Sequence, residues 1–283
     1  MIEVLRNPAE MRSRAGALRA AGKRISFVPT MGYLHAGHVS LMEAARDLGD
    51  ARVLSIFVNP TQFGPKEDLS RYPRDLDGDL HKAEGAGITL AFVPEAAAIY
   101  PDGYQTFVEV SDLSQGMCGA SRPGHFSGVA TIVLKLFHLV QPHVALFGEK
   151  DFQQLAVLKR MARDLDLDVE VRGLPIVRES DGLAMSSRNA YLSAEQRQDA
   201  LILSRAIFGS RDRFVKGERS AEALLALARE ILMSNKNIRL DYLELRDAES
   251  LKTVDGNVGR PTVLAVAAFV GSTRLIDNVV LPA

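Results

Sequence analysis

Apolar runs of strand length alternate with segments of helical spacing through the first two thirds of the chain. Elements that alternate in this way form right-handed βαβ units, in which strands pair in parallel and helices cover the sheet. The sequence therefore predicts an α/β fold with a Rossmann-like, doubly wound parallel sheet. The predicted strands are residues 25–28, 53–58, 88–93 and 144–147, and the predicted helices are 41–48, 75–86 and 129–140.

The last third of the chain follows a different pattern. Ser193 and Gln196 have capping-box spacing and predict the start of a helix, and Ser220 precedes a second segment with one apolar face. The first helix is predicted to continue to residue 208, and strand-like runs follow at 241–246, 263–269 and 273–280. We therefore expect a Rossmann-like domain at 1–176 and a smaller α+β domain with an antiparallel sheet at 177–283. As a further expectation, which this pattern does not itself show, the smaller domain forms a lid over the active site.

Composition excludes several classes of protein. With 283 residues, 47% of them hydrophobic, and a net charge of −1, the chain is expected to form a sizeable core and to lack broad attraction for nucleic acid. Cys118 is the only cysteine, so an intrachain disulfide is impossible. The first 16 residues carry charges where a signal peptide is apolar, and the apolar run 263–270 is too short for a bilayer. We expect a cytoplasmic protein with neither nucleic-acid nor membrane partners.

His35 and His38 flank Gly37 in an H-x-G-H turn between a predicted strand and a predicted helix. Unpaired backbone N–H groups and the helix dipole favour phosphate at such a position, and imidazoles add donors for charge that develops during transfer. Two other interpretations are a pair of buried, hydrogen-bonded histidines and half of a zinc site. The zinc interpretation lacks further ligands, since there is one cysteine and no third imidazole nearby.

A polar segment at 178–189 contains Ser186, Ser187 and Arg188. Serine hydroxyls donate to phosphate oxygens, and the guanidinium fork matches them in bidentate fashion. A solvated interdomain linker would have the same composition. Together with the H-x-G-H turn, however, the segment indicates a nucleotide clamp.

The combination of H-x-G-H with Met-Ser-Ser-Arg at 185–188 resembles the class I aminoacyl-tRNA synthetase and nucleotidylyltransferase superfamily. Three further blocks are similar to those of the pantothenate synthetases, which join pantoate to β-alanine with ATP. These blocks are FVNPTQFG at 57–64, RPGHF at 122–126 and GEKDFQQL at 148–155. They occur in the family's order.

The resemblance implies the residues that bind ATP and stabilise the transferred charge. The implied ATP-binding residues are Met31, Gly32, Tyr33, Leu34, His35, Ala36, Gly37, His38, Gly148, Glu149, Lys150, Asp151, Val177, Met185, Ser186, Ser187 and Arg188. The implied catalytic residues are His35, His38, Lys150, Ser186, Ser187 and Arg188, with His38 as the family's proton donor. The implied reaction forms pantoyl adenylate and pyrophosphate, after which the amine of β-alanine displaces AMP.

The resemblance also implies pantoate ligands at Gln62 and Gln154, a homodimer, and Mg²⁺ supplied with ATP. Each glutamine follows a strand, and amides suit a small hydroxy acid because they donate and accept without net charge. A turn glutamine and an exposed helix residue are the alternatives. Asp79, in the acidic run 75–79, is the predicted metal ligand, although solvated helix carboxylates would look the same.

Other interpretations stay open at this point. The block at 148–151 also fits an ordinary turn, and residues 111–127 fit either a lid or a long surface loop. A nucleotidylyltransferase would share the two signatures but end its reaction with AMP or CMP on a phosphorylated acceptor. A non-catalytic nucleotide- or RNA-binding relative is a third possibility. A dehydrogenase is disfavoured, because no G-x-G-x-x-G follows the first predicted strand.

Overall fold

The computed structural model describes residues 2–65 and 67–283, which form two compact units. Unit 1 consists of Met1–Ser114, Arg122–Glu149 and Gln154–Pro175, and unit 2 consists of Gln115–Ser121, Lys150–Gln153 and Ile176–Ala283. Two short segments that precede residue 176 thus belong to unit 2. The lid role expected for 177–283 stays a prediction.

Unit 1 contains a six-stranded parallel sheet in the order β1-β4-β3-β2-β5-β6, as the alternating pattern predicted. The strands are β1 (Glu3–Leu5), β2 (Ile25–Thr30), β3 (Ala51–Ile56), β4 (Leu90–Phe92), β5 (Val144–Gly148) and β6 (Glu170–Leu174). The helices that begin before residue 153 are α1 (Pro8–Ala20), α2 (Ala36–Ala44), α3 (Leu76–Gly85), α4 (Ala96–Ile99), α5 (Met117–Ser121), α6 (His125–Val140) and α7 (Phe152–Asp164). Of these, α5 lies in unit 2.

Helices cover both faces of the sheet, so the domain is doubly wound. Neighbouring residues of a strand point to opposite faces, and Phe27 accordingly belongs to one hydrophobic core while Val28 belongs to another. The first core includes side chains of α1, α6 and α7, and the second includes side chains of α2 and α3. Both faces are therefore apolar, which explains why the sequences of the central strands are nearly continuous apolar runs.

The two strands that were not predicted, β1 and β6, lie at the edges of the sheet, and helices α1, α4 and α5 were not predicted either. β1 has three residues, and β6 contains Glu170, Arg172 and Gly173 among its five residues, so it does not form an apolar run. Helix α2 begins at Ala36 instead of residue 41, with His35 as its N-cap. The H-x-G-H turn therefore lies at a helix N-terminus. Residues 111–127 include α5 and the start of α6, so they do not form one continuous loop.

Unit 2 combines two long helices with a three-stranded antiparallel sheet. The predicted capping box is present, because Ser193 accepts from Gln196 N and the Gln196 side chain accepts from Ser193 N. The elements are α8 (Ala194–Val215), α9 (Ala221–Met233), β7 (Ile238–Asp247), β8 (Thr262–Val270) and β9 (Thr273–Leu281). Helix α8 continues past the predicted end at 208. No helix within residues 2–65 and 67–283 is both long and apolar enough to cross a bilayer.

Candidate active site

The two histidines of the H-x-G-H turn cap helix α2 with their own rings. His35 Nδ1 accepts from Gly37 N at 3.1 Å, and His38 Nδ1 accepts from His35 N at 3.3 Å. The ring centroids are 4.1 Å apart. Because Nδ1 is an acceptor in both rings, a neutral imidazole at either position carries its proton on Nε2. The turn therefore forms two Nε2–H donors at a helix N-terminus, while its capping bonds hold the rings in place.

Asp79 holds the loop that leads into this turn. Its carboxylate accepts from Tyr33 N at 2.7 Å and from Leu34 N at 2.6 Å, and the residue is 1% exposed. Gly32 and Tyr33 have positive φ angles of 83° and 51°, and a Cβ on Gly32 would lie 2.9 Å from the Asp79 carboxylate. Burial raises the pKa of Asp79, an effect that the amides of Leu34 and Tyr33 partly offset. Asp79 thus fixes a left-handed loop conformation directly before His35.

This arrangement does not fit the metal-ligand role predicted for Asp79. Both of its oxygens accept short hydrogen bonds from backbone amides, and the side chain is buried. In the described part of the chain, no group of three or more His, Cys, Asp or Glu side chains has the arrangement of a metal site. The acidic run in fact begins α3, with Asp75 capping the helix through Gly78 N.

Gln62 lies in a short 3-10 turn after β3, and neighbours hold its carboxamide at both ends. Its Oε1 accepts from Asn59 Nδ2 at 3.1 Å, and its Nε2 lies 3.1 Å from the sulfur of Met31. Asn59 is 1% exposed and also donates to Gly128 O at 3.1 Å. The structure therefore brings Gln62 to Met31, at the start of the predicted nucleotide loop.

Tyr100 and Thr61 complete the surroundings of Asn59. Tyr100 donates its hydroxyl proton to Asn59 Oδ1 at 2.8 Å, and the Thr61 hydroxyl lies 3.0 Å from the same oxygen and 3.2 Å from the Tyr100 hydroxyl. Burial raises the pKa of Tyr100 to about 12, although the hydrogen bond with Thr61 acts in the opposite direction. The phenol is therefore a stable donor at neutral pH, and it fixes the orientation of the Asn59 amide.

A second set of contacts holds the backbone of Gln62. His125 Nδ1 lies 2.9 Å from Gln62 O, and an Arg122 guanidinium nitrogen donates to the same carbonyl at 3.3 Å. Arg122 also pairs with Glu67 through two contacts of 2.6 and 2.7 Å. Burial raises the pKa of Glu67, but the hydrogen bond and charge of Arg122, together with the Gly64 amide and the nearby His125, outweigh this, so its pKa is lowered overall.

In unit 2, Lys150, Ser186 and Asn189 line one cavity. The remaining lining residues are Leu183, Ala184, Leu203, Leu275, Ile276 and Asp277. The backbone carbonyl of Lys150 accepts from Asn278 Nδ2 at 2.9 Å, which ties the segment 150–153 to strand β9. The structure thus brings together two of the residues that the sequence analysis assigned to phosphate.

The predicted clamp segment is folded onto unit 2. A hairpin pairs Val177 O with Met185 N at 3.0 Å, and Arg178 forms a bidentate ion pair with buried Asp277 at 2.7 and 2.8 Å. Ser186 then caps a 3-10 turn at Ser187–Tyr191 by accepting from Arg188 N. The segment is therefore a structured hairpin and turn, which differs from the solvated linker that its composition also allowed.

The other predicted residues fall at the carboxyl end of β5. Gly148 is the last residue of that strand, and Glu149–Asp151 form a 3-10 turn before α7. Gln154 is half-buried on α7 within unit 1. Its neighbour Gln153, which the sequence analysis passed over, is 4% exposed and accepts from Cys118 N at 3.0 Å. That bond anchors α5 within unit 2.

No role was predicted for Asn59, Arg122 and His125, although each lies in one of the blocks at 57–64 and 122–126. The available signal was a polar side chain next to an apolar stretch, as in Phe57 and Val58 before Asn59. Several of their contacts join residues that are far apart in sequence: Gln62 and His125 are separated by 63 residues, and Asn59 and Gly128 by 69. Such contacts depend on helix α6 packing against the turn at 59–62, which residue spacing alone does not indicate.

Comparison with known proteins places these residues in a family. A model of the pantoate-beta-alanine ligase family matches residues 3–280. The pantothenate synthetase of Syntrophobacter fumaroxidans is 54% identical over 280 residues, which is 99% of either chain. A crystal structure of pantothenate synthetase from Thermus thermophilus superimposes with a TM-score of 0.94 at 44% identity and full coverage of both chains. A pantoate-beta-alanine ligase from Francisella tularensis, complexed with beta-gamma ATP and beta-alanine, has a TM-score of 0.79 at 30% identity, covering 99% of this chain and 97% of that one.

Proposed function

The chain belongs to the pantoate-β-alanine ligase family, and from that premise we propose how its own residues carry out the ATP-dependent condensation of pantoate with β-alanine. The observation that carries the assignment of residues is the H-x-G-H turn. Its two imidazoles cap a helix N-terminus by accepting at Nδ1, which leaves Nε2–H as the donor of each ring. Donors held in this way stabilise charge without reorganising during the reaction.

In the first step, a carboxylate oxygen of pantoate attacks the α-phosphorus of ATP. The new O–P bond forms while the bond from the α-phosphorus to the bridging oxygen breaks, and pyrophosphate leaves with that electron pair. His35 and His38 donate from Nε2 to the phosphate oxygens. The Nε2–H tautomer supports the donor role that the family resemblance implies for His38. Asp79 takes part indirectly, because it fixes the loop at 32–34.

In the second step, the neutral amine of β-alanine attacks the acyl carbon of pantoyl adenylate. The C–N bond forms, the acyl C–O bond breaks, AMP leaves with the oxygen that came from pantoate, and the amine loses a proton to solvent. Gln62 and Gln154 are the proposed pantoate ligands. The support for Gln62 is its fixed carboxamide beside Met31. No protein nucleophile is needed.

Residues of unit 2, together with Gly148 and Glu149 of unit 1, supply the remaining part of the proposal. Lys150, Ser186, Ser187 and Arg188 donate to phosphate, and Gly148, Glu149, Asp151, Val177 and Met185 belong to the proposed ATP-binding set. The support for this assignment is that Lys150 and Ser186 lie close together, since both line one small cavity. Magnesium would arrive with ATP and be held by phosphate oxygens and water. Since Asp79 does not fit a ligand role, we derive no step through the metal.

Cellular location and assembly also belong to the proposal. With a single cysteine the chain cannot form an intrachain disulfide, and proteins without disulfides are typical of the reducing cytoplasm, which supports a cytoplasmic location. Homodimerisation is proposed from the family resemblance and is checked by light scattering of the purified protein during size-exclusion chromatography. A mass equal to one chain would exclude it.

The decisive experiment traces a carboxylate oxygen of pantoate into the products. The purified protein is incubated with magnesium, ATP, β-alanine and pantoate that carries ¹⁸O in its carboxylate, and the products are analysed by mass spectrometry. The expected result is one pantothenate for each AMP, with one ¹⁸O atom in the AMP. ADP with labelled inorganic phosphate would instead indicate an acyl phosphate. Labelled AMP cannot arise from a nucleotidylyltransferase, whose product would retain the nucleotide on an acceptor.

A further inference from the structure

The backbone carbonyl of Gln62 receives two side-chain hydrogen bonds from the RPGHF block. His125 Nδ1 lies 2.9 Å from it and Arg122 donates at 3.3 Å. A second Arg122 nitrogen lies 3.0 Å from His125 Nε2. The His125 ring is therefore placed between a cationic donor and a carbonyl acceptor, and it is 8% exposed.

These contacts determine the tautomer of His125. An arginine N–H can only donate, so Nε2 must be the acceptor, and a carbonyl can only accept, so Nδ1 must carry the proton. A doubly protonated ring would direct an Nε2–H at the guanidinium. His125 is thus held as a neutral imidazole with its proton on Nδ1, which is the opposite tautomer to that of the H-x-G-H histidines.

The guanidinium itself is held by Glu67. Arg122 Nε donates to one carboxylate oxygen at 2.6 Å and a terminal nitrogen donates to the other at 2.7 Å. Glu67 also accepts from Gly64 N at 3.1 Å, two residues after Gln62. A bidentate arginine pair fixes direction as well as distance. The chain of contacts therefore runs from Glu67 through Arg122 and His125 to Gln62, within unit 1.

We propose that His125 is a positioning residue for the substrate bound by Gln62, and that its Nδ1–H orients the Gln62 carbonyl while Asn59 orients the Gln62 side chain. This inference rests on the proposed function, because it takes Gln62 as a pantoate ligand. The contacts hold the glutamine by its backbone and by its carboxamide. Loosening the backbone would displace the carboxamide from pantoate, whereas the H-x-G-H donors for ATP would be unaffected.

The test compares two variants at each of two histidines. His125→Asn retains an amide nitrogen close to the position of Nδ1, and His125→Leu keeps bulk but removes the donor. His138, exposed on the same helix α6, receives the same substitutions as a control. We expect His125→Leu to raise KM for pantoate about tenfold and to leave KM for ATP within about twofold, which is the effect of one lost buried hydrogen bond. His125→Asn should stay within about threefold of wild type, as should both His138 variants.

The tautomer gives a readout on the wild-type protein that does not depend on activity. In protein labelled with ¹⁵N-histidine, the ring nitrogens of His125 should show a protonated Nδ1 and an unprotonated Nε2, and His125→Asn assigns the signals by their disappearance. An Nε2–H tautomer, equal KM changes for ATP and pantoate, or no rescue by His125→Asn relative to His125→Leu would overturn the proposal. A wild-type protein that makes no pantothenate would instead refute the proposed function, whatever the state of His125.

Discussion

The carboxylate of Asp79 lies 2.7 Å from the backbone nitrogen of Tyr33, a residue with a φ angle of 51°. The second carboxylate oxygen accepts from Leu34 N. Few residues other than glycine adopt such a φ angle without compensation. Asp79 therefore stabilises a strained loop conformation that directs the chain into the H-x-G-H turn.

Substitution of Asp79 by Asn should weaken ATP use. The amide NH₂ of asparagine would face one of the two backbone N–H groups, and loss of a hydrogen bond to a charged group costs about 1.5–3 kcal/mol. We expect kcat/KM for ATP to fall about 10- to 100-fold. The control is Asp77→Asn, which changes an exposed carboxylate on the same helix. Steady-state kinetics with ATP varied will show whether the two variants differ; if they behave alike, Asp79 has no special role in the loop.

The second prediction concerns His38. Its Nε2–H is the proposed donor to phosphate, so His38→Ala should reduce kcat about a hundredfold or more while the protein stays folded. His81→Ala removes an exposed imidazole from α3 and should leave kcat unchanged. Rates are compared at saturating substrates, with thermal unfolding measured in parallel. An unaltered kcat in His38→Ala would remove this residue from the mechanism.

Some parts of this architecture are predictable from sequence and others are not, for physical reasons. The central strands were predicted because burial on both faces requires apolar residues throughout, as in Val53 and Leu54. Edge strands are less buried, so β1 and β6 lack that signal. The capping box at Ser193 is a local interaction and was confirmed. Asp79 contacts Tyr33 across 46 residues, and its spacing gives no sign of this tertiary contact.

The candidate site likewise contains residues whose roles were predicted from sequence and contacts that were not. Motif resemblance supplies the expected roles of Gln62 and the histidines, which stay predictions until they are tested. The contacts of Asn59, Arg122 and His125 around Gln62 were not predicted, because they depend on helix α6 lying against the turn after β3. Gly128 makes that approach possible: a Cβ there would lie 2.8 Å from Gln62 N and still closer to Thr61 O. Only tertiary packing shows why this position requires a glycine.

The third prediction follows from that close approach. Gly128→Ala should lower the free energy of unfolding by about 1–3 kcal/mol, because the added methyl overlaps the backbone of the turn. Displacement of the turn should also raise KM for pantoate. Gly85→Ala on α3 is the matched control, since a Cβ there meets nothing within 4 Å. Alanine favours a helix over glycine, so this control should be neutral or stabilising by up to about 1 kcal/mol. Urea unfolding compares both variants, and equal free energies would contradict the packing argument.

The last prediction concerns pH and Glu67. Burial raises the pKa of Glu67, but the combined effects of Arg122, the Gly64 amide and His125 are larger, so the pKa is lowered from 4.5 overall. Between the lowered pKa and 4.5, the unfolded chain binds more protons than the folded protein, so the contribution of this group to stability rises with pH across that window. The contribution is complete above the unfolded pKa and is lost as pH falls through the folded pKa.

Glu67→Gln should accordingly destabilise the protein at neutral pH, by about 1–2 kcal/mol for a partly exposed charged pair. The difference from wild type should shrink progressively as the pH falls below 4.5. Urea unfolding at a series of pH values measures this difference. Glu109→Gln, at an exposed position, provides the control for removing one negative charge. A difference for Glu67→Gln that stays constant down to the acid limit would mean that the Arg122 pair does not depend on the ionised carboxylate.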